Sequence, residues 1–293
     1  LGANTLGHIA EFCAAGAAGK AGLRSGPLEP PDLLQTRVLD PDAGVVGLET
    51  LHGLLQKGRR HNPVFLMSGG FGTRLQPLTN DTPKPLLKVG DKPILELIIE
   101  NLVKAGFHDF FISTHFRSDM VRERIGDGSR WGIRVRYVHE DQPLGTAGAL
   151  GLLPHDEIVL PMVMMNGDLL TNLDFNNLLA FHDAHDGAAT MCVREYEHRV
   201  PYGVIQREGH RIASIVEKPV YRHFINAGIY VLSPDLVRSV APGVRLDMPT
   251  LLQQQIAGGR AVNMFPLHEY WLDIGRMEDF QRAQDDVQGL FHA

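Results

Sequence analysis

The most constraining stretch of this chain is Val64-Phe65-Leu66-Met67, an apolar run that feeds almost directly into Gly69-Gly70-Phe71-Gly72. A run this short, bounded by Pro63 and by glycines, fits a parallel strand buried on both faces. Three glycines just after such a strand permit unusual backbone angles and let main-chain N–H groups close on an anion. Prolines at 77, 83 and 85 then forbid a helix opening at the loop. The phosphate-holding segment is therefore expected to be extended and stiff, with Lys84 at a fixed distance from Arg74. Two other glycine signatures fail. There is no Gly-Lys-Ser/Thr for a P-loop, and Leu75 stands where a dinucleotide fingerprint needs a small residue.

The chain of 293 residues is long enough for one large domain plus a smaller attachment. It divides near residue 60. Residues 1–60 hold an Ala/Gly-rich stretch, then Gly26-Pro-Leu-Glu-Pro-Pro31, a strand at Val45–Leu48 and a helix at Glu49–Gln56, too little to close a core alone. The start at Leu1 suggests a fragment or processed product. Residues 61–293 read as strand and helix in turn. Helices are expected at Pro93–Ala105, at Ser118–Ile125 with Ser118 as cap, at Asn172–Ala184, Met248–Ile256 and Arg276–Val287. Strands are expected at Asp109–Thr114, Ile133–Val138, Val159–Met165, Ala188–Arg194 and Phe224–Leu232, with a hairpin over Gly203–Val216. This order implies an α/β fold with a mixed, mostly parallel central sheet flanked by helices.

Composition narrows the function classes. Net charge is -6 with no long basic tract, so nucleic acid is not an expected partner. No apolar run reaches membrane-spanning length, and the N-terminus lacks the order of a signal peptide. Two cysteines, Cys13 and Cys192, suit a reduced cytoplasm. An acidic chain that handles polyanions must concentrate positive charge locally or borrow it from a metal. Asp168, after the strand ending at Met165, lies where open α/β sheets bind ligands, and carboxylates suit Mg2+. Asp273 is a second candidate. Each also fits a plainer role, Asp168 in a turn and Asp273 as a helix cap.

The run Met67-Ser-Gly-Gly-Phe-Gly-Thr-Arg-Leu-Gln-Pro-Leu-Thr79, with Pro83-Lys84-Pro85 and Lys92-Pro93-Ile94, resembles the signature of the sugar-1-phosphate nucleotidyltransferases of mannose-1-phosphate guanylyltransferase type. The resemblance extends from about residue 62 to about residue 288. It implies a GT-A-like, Rossmann-type fold and an enzyme that joins a nucleoside triphosphate to a sugar 1-phosphate, releasing pyrophosphate. By that resemblance Gly69, Gly70, Gly72, Thr73 and Arg74 cradle the triphosphate, Lys84 serves the reacting phosphates, and Asp168 and Asp273 hold Mg2+. Gly145 and Thr146 lie against base and ribose. Tyr202, Gly203, Glu217, Lys218 and Asn226 match the sugar-phosphate pocket. Glu140 falls where the family reads the base. A carboxylate accepts from both N1–H and the 2-amino group of guanine, which favours GTP over uracil and thymine nucleotides.

Asp40–Leu55 is similar to the closing strand and helix of a cystathionine-β-synthase-type (CBS) domain, making residues 1–60 a partial remnant with its linker. His182 and His185 read as exposed polar residues, Trp131 and Trp271 as packing, and Cys192 as strand core. Uridylyl, cytidylyl or thymidylyl transfer, or a non-catalytic nucleotide-sugar-binding subunit, stays open at this level. The identity of the sugar and assembly as a homo-oligomer also stay open.

Overall fold

The computed structural model describes residues 58–290, with side chains through 287, and the backbone of three short strands before them. The chain separates into two compact units, Leu1–Arg59 and Arg60–Ala293. In the first, Arg24–Ser25, Gln35–Leu39 and Val45–Thr50 form an antiparallel sheet in chain order. Glu49 and Thr50, expected in a helix, instead close the third strand, pairing with Thr36 and Gln35. The rest of that helix, residues 51–56, and the Ala/Gly-rich stretch lie outside the described residues.

The larger unit is built on a seven-stranded sheet. In chain order its strands are β1 (Val64–Met67), β2 (Asp109–Thr114), β3 (Arg134–His139), β4 (Met162–Asn166), β6 (Ala189–Arg199), β9 (Val220–Leu232) and β10 (Val262–Pro266). A short ladder pairs β5 (Leu169–Thr171) with β11 (Trp271–Asp273), and a hairpin joins β7 (Val204–Glu208) to β8 (Arg211–Val216). The order across the main sheet is β10-β6-β9-β4-β1-β2-β3, and only β9 runs against the rest. This is the mixed, mostly parallel sheet that the sequence implied.

Burial follows the strand period of two. Val64 and Leu66 of β1 pack into one core layer with Phe110 and Ile112, while Phe65 joins Phe111 and Met164 in the other. Helix α1 (Ile94–Lys104) covers the first layer through Ile94, Leu95, Ile98, Ile99 and Leu102. Each fully buried Leu or Ile contributes roughly 1.5–3 kcal/mol. Helix α2 (Ser118–Ile125) starts differently from expectation. Its cap is Arg117 at φ 50, and Ser118 is the first helical residue with no capping bond. Helix α3 (Phe175–Ala184) begins three residues later than expected, because Asp174 accepts from the amides of Asn176 and Asn177. Helices α4 (Pro234–Arg238), α5 (Met248–Ala257) and α6 (Met277–Leu290) complete the unit.

Three other expectations need correction. Val159 and Leu160 are exposed and precede β4, because the chain turns through Pro161 before entering the sheet. His182 is buried, with Nδ1 2.9 Å from the Thr190 hydroxyl, and burial lowers its basicity. The segment after the glycine loop is not extended. Thr73–Leu75 and Lys84–Leu86 are 3-10 turns, the second with Pro85 near its start, where no amide donor is needed. Cys192 is buried in the sheet core as expected, and burial pushes its thiol well above the usual range. Among the described residues, no helix is long and apolar enough to cross a membrane.

Candidate active site

Strand β1 sends the chain to β2 on one side, while β4 pairs with its other edge. Ligand crevices of α/β sheets form at such a reversal, beyond the strands' carboxyl ends. The two segments leaving β1 and β4 there are Ser68–Arg74 and Gly167–Asp168. They are locked together, since Gly167 donates to the Met67 carbonyl at 2.8 Å. A Cβ on Gly167 would lie 2.4 Å from that same oxygen, so only glycine allows the approach.

The loop is shaped from beneath. Gly72 sits at φ 64, with Thr79 donating its hydroxyl to the Gly72 carbonyl at 2.8 Å. A side chain on Gly72 would strike Lys84 and Thr79, each 3.0 Å away, so the glycine lets Lys84 pass close behind the loop. Lys84 is 8% exposed and makes an ion pair with Oδ2 of Asp168. The other oxygen of Asp168, Oδ1, is buried with no hydrogen-bond partner among the described residues.

The β5–β11 ladder brings in the second carboxylate across 105 residues of chain. Leu169 faces Asp273 in its register, and Ile274 donates to the Asp168 carbonyl at 3.0 Å. Burial first, and then the charge of Asp168, raise the pKa of Asp273; Lys84 and Arg74 oppose the shift. Arg74 and Asp273 flank Gly275, where a methyl group would lie 3.7 Å from Arg74 Nη1 and 3.5 Å from Asp273 Oδ1. Two cations and two carboxylates thus converge beyond the carboxyl ends of the central strands. A buried, unpartnered carboxylate oxygen beside a second carboxylate fits a hard divalent cation such as Mg2+, which binds oxygen donors. No cluster of three or more His, Cys, Asp or Glu side chains that could hold a metal occurs among the described residues. Any ion here would complete its shell from substrate oxygens or water.

The remaining candidates fall into two groups. Glu140, 5% exposed, leans over the loop, with Oε1 2.8 Å from the position of a Cβ on Gly69. Its Oε2 accepts from the Leu144 amide at 3.0 Å. Gly145, at φ 79, and Thr146 are bound to the start of α5: Asp247 Oδ1 accepts from the Thr146 amide at 3.1 Å, and the Thr146 hydroxyl accepts from Met248 N at 2.8 Å. Gly70 and Thr73 lie exposed on the loop.

The second group gathers at the hairpin. The Lys218 amide bonds to the Tyr202 carbonyl at 3.3 Å, and a Cβ on Gly203 would meet Glu217 Oε2 at 2.9 Å. Tyr202 is 74% exposed, and Lys218 sits at φ 45. Strand β9 carries this cluster back to the first. Asn226 spends its amide internally, donating to the Tyr230 hydroxyl at 2.7 Å and accepting from Gly228 N at 2.9 Å. Gly228 in turn lies against the Asn166 side chain. Trp271 joins β11 to the same stretch through Nε1 and the Ala227 carbonyl, 2.8 Å apart.

Sequence reasoning missed Asp247, His115 and Asn166. Asp247 precedes Met248-Pro249 and so carried a readable helix-start signal. His115, whose Nδ1 is 2.7 Å from the Glu140 carbonyl, and Asn166, whose side chain lies against Gly228, had no such signal, since only the folded sheet gives them these partners.

Comparisons agree with this architecture. The chain is 36% identical over 228 residues to the mannose-1-phosphate guanylyltransferase catalytic subunit beta of Danio rerio, covering 74% of this chain and 62% of that protein. It is 34% identical to the mannose-1-phosphate guanyltransferase of Yarrowia lipolytica, over 74% of this chain and 61% of the relative. The chain therefore spans about three-fifths of the length of these relatives. The crystal structure of HddC from Yersinia pseudotuberculosis superposes with a TM-score of 0.61 at 26% identity, covering 77% of this chain and 99% of HddC. A second HddC structure, complexed with GMP-PN, matches at 25% identity with the same TM-score. The profile described as nucleotidyl transferase matches residues 64–289, from the first strand of the sheet to the last helix. With the glycine loop, the paired carboxylates and the reversal of strand order all inside that span, the chain belongs to the nucleotidyl transferase family.

Proposed function

We propose that this chain transfers a nucleoside monophosphate, from GTP in preference to other triphosphates, to a sugar 1-phosphate, yielding a nucleotide sugar and pyrophosphate. The observation that carries the reading is the meeting of Lys84, Asp168, Asp273 and Arg74 beside the glycine loop. Loop amides and Arg74 bind the β- and γ-phosphates and stabilise the pyrophosphate as it leaves. Lys84 neutralises charge at the α-phosphate. A phosphate oxygen of the sugar 1-phosphate forms the new bond to the α-phosphorus while the α–β bridging bond breaks. The attacking oxygen is already anionic, so the chain need not supply a general base. Asp168 and Asp273 would hold Mg2+, which supplies positive charge to the triphosphate when bound.

Two observations favour guanine. The buried Glu140 carboxylate overhangs Gly69, where it would accept from a base bearing two adjacent donors. The relatives named above are mannose-1-phosphate guanylyltransferases, which also makes mannose 1-phosphate the first acceptor to test. Glu217 and Lys218 would meet the sugar hydroxyls and the sugar phosphate. A cytoplasmic setting is part of the proposal, supported by the buried free thiol of Cys192. A coupled pyrophosphate-release assay across GTP, ATP, UTP, CTP and dTTP with a panel of sugar 1-phosphates tests the reading. GTP should give the highest kcat/KM. Faster turnover of UTP or dTTP would overturn the base assignment, and no pyrophosphate with any pair would leave a binding subunit.

A further inference from the structure

The cations and carboxylates at the site are already balanced before any ligand arrives. Lys84 is buried and ion-paired to Oδ2 of Asp168, while Arg74 and Asp273 flank Gly275. The charges of these four groups sum to zero. The ammonium occupies one oxygen of the carboxylate that a divalent cation would need. A cation arriving alone at the open Oδ1 would share that carboxylate with the buried ammonium on Oδ2, and two like charges so close repel strongly in a low-dielectric setting. Lys84 starts from a fixed place, because Pro83 and Pro85 flank it in the turn that carries it and its Cβ lies where a side chain on Gly72 would have to go. A triphosphate removes the obstacle, since its oxygens can take over the ammonium as the metal takes the carboxylate.

We propose that Lys84 guards the metal carboxylate in the resting protein, so that a divalent cation binds Asp168 only together with a triphosphate that accepts the ammonium. This rests on the nucleotidyl-transfer reading above and adds an order of binding to it. The exchange makes and breaks only ion pairs: Lys84 leaves Asp168 for phosphate oxygen, and the carboxylate passes to the cation.

The test is Mn2+ binding to the full chain, followed by electron paramagnetic resonance in the absence of nucleotide. Wild-type protein should bind weakly. Lys84→Met, which keeps the packing volume and removes the charge, should bind on the order of ten- to a hundredfold more tightly, the worth of a charge-assisted hydrogen bond. Lys84→Arg should bind as weakly as wild type. Adding Asp168→Asn to Lys84→Met should abolish the gain. Equal Mn2+ affinity in wild type and Lys84→Met would overturn the proposal, as would a gain that survives Asp168→Asn. If Lys84→Met does not fold, Lys84→Gln makes the same comparison, and tight binding by wild type alone is itself sufficient to overturn it. The pyrophosphate assay keeps the two ideas apart. Turnover with equal Mn2+ affinities defeats only the guarding role, whereas a gain in Mn2+ affinity without turnover of any triphosphate defeats only the reaction.

Discussion

Asp273 holds its proton more tightly than an ordinary aspartate. Burial and the neighbouring charge of Asp168 raise its pKa above the ordinary 3.8. The folded protein therefore binds this proton more readily than the unfolded chain does, and stability falls as pH rises from about 3.8 through the raised value. Above that window the penalty is fully present. Asp273→Asn is expected to raise the urea midpoint of the ligand-free protein at pH 7, with a gain that shrinks as the pH is lowered through the window. The same variant should lose turnover by roughly 10²–10³ if the carboxylate serves the reacting phosphates. A midpoint that falls would show that Asp273 is not a destabilised charge. His182 carries the opposite slope. Burial lowers its pKa below the ordinary 6.5, so stability is lost as pH falls from 6.5 through the lowered value, and His182→Gln should flatten that part of the stability profile. At Gly167 the constraint is steric. Gly167→Ala would press a methyl group against the Met67 carbonyl, costing about 1–3 kcal/mol by urea denaturation and displacing Asp168.

Elements near the site were read from the sequence where a local signal existed and missed where a distant contact decided. The apolar β1, the glycines after it and the hairpin turn at Gly209 are all written in neighbouring residues, and the structure has them in place. The two 3-10 turns escape that reading because three-residue turns tolerate prolines that forbid a longer helix opening at the loop. The approach of Asp273 to Asp168 was only implied by resemblance, since its cause is a three-residue ladder closing across 105 positions. Helix starts show both outcomes. Asp174 caps α3, and Asp174→Ala should cost about 0.5–2 kcal/mol in a urea melt. Asp247 ties the Gly145–Thr146 segment to α5 through the Thr146 amide. Asp247→Ala is expected to raise KM for the triphosphate roughly tenfold, the worth of one hydrogen bond to a charged group, with a smaller change in kcat. A fall in kcat at unchanged KM would remove Asp247 from nucleotide positioning.

At the scale of the whole molecule, the core is hydrophobic and continuous on both faces of the sheet, and the charged site lies beyond the carboxyl ends of its central strands. Stability and divalent-ion dependence should therefore separate. Chelation with EDTA is expected to abolish turnover, restored by Mg2+, while the melting temperature moves by less than about 2 °C, the size of a ~1 kcal/mol change in a domain of this length. Collapse of the fold on chelation would place the metal in the core instead. Strand β9 has a different consequence. Its inner half, from Ala227 to Leu232, is buried in the main sheet, while Val220 to Phe224 pairs with β6 as an exposed ribbon that carries the hairpin. If the hairpin receives the acceptor as proposed, that end is an outgrowth on a finished scaffold, while the glycine loop is pinned by backbone contacts. On that reading, a laboratory library confined to residues 200–219 should change the acceptors used without changing the nucleotide.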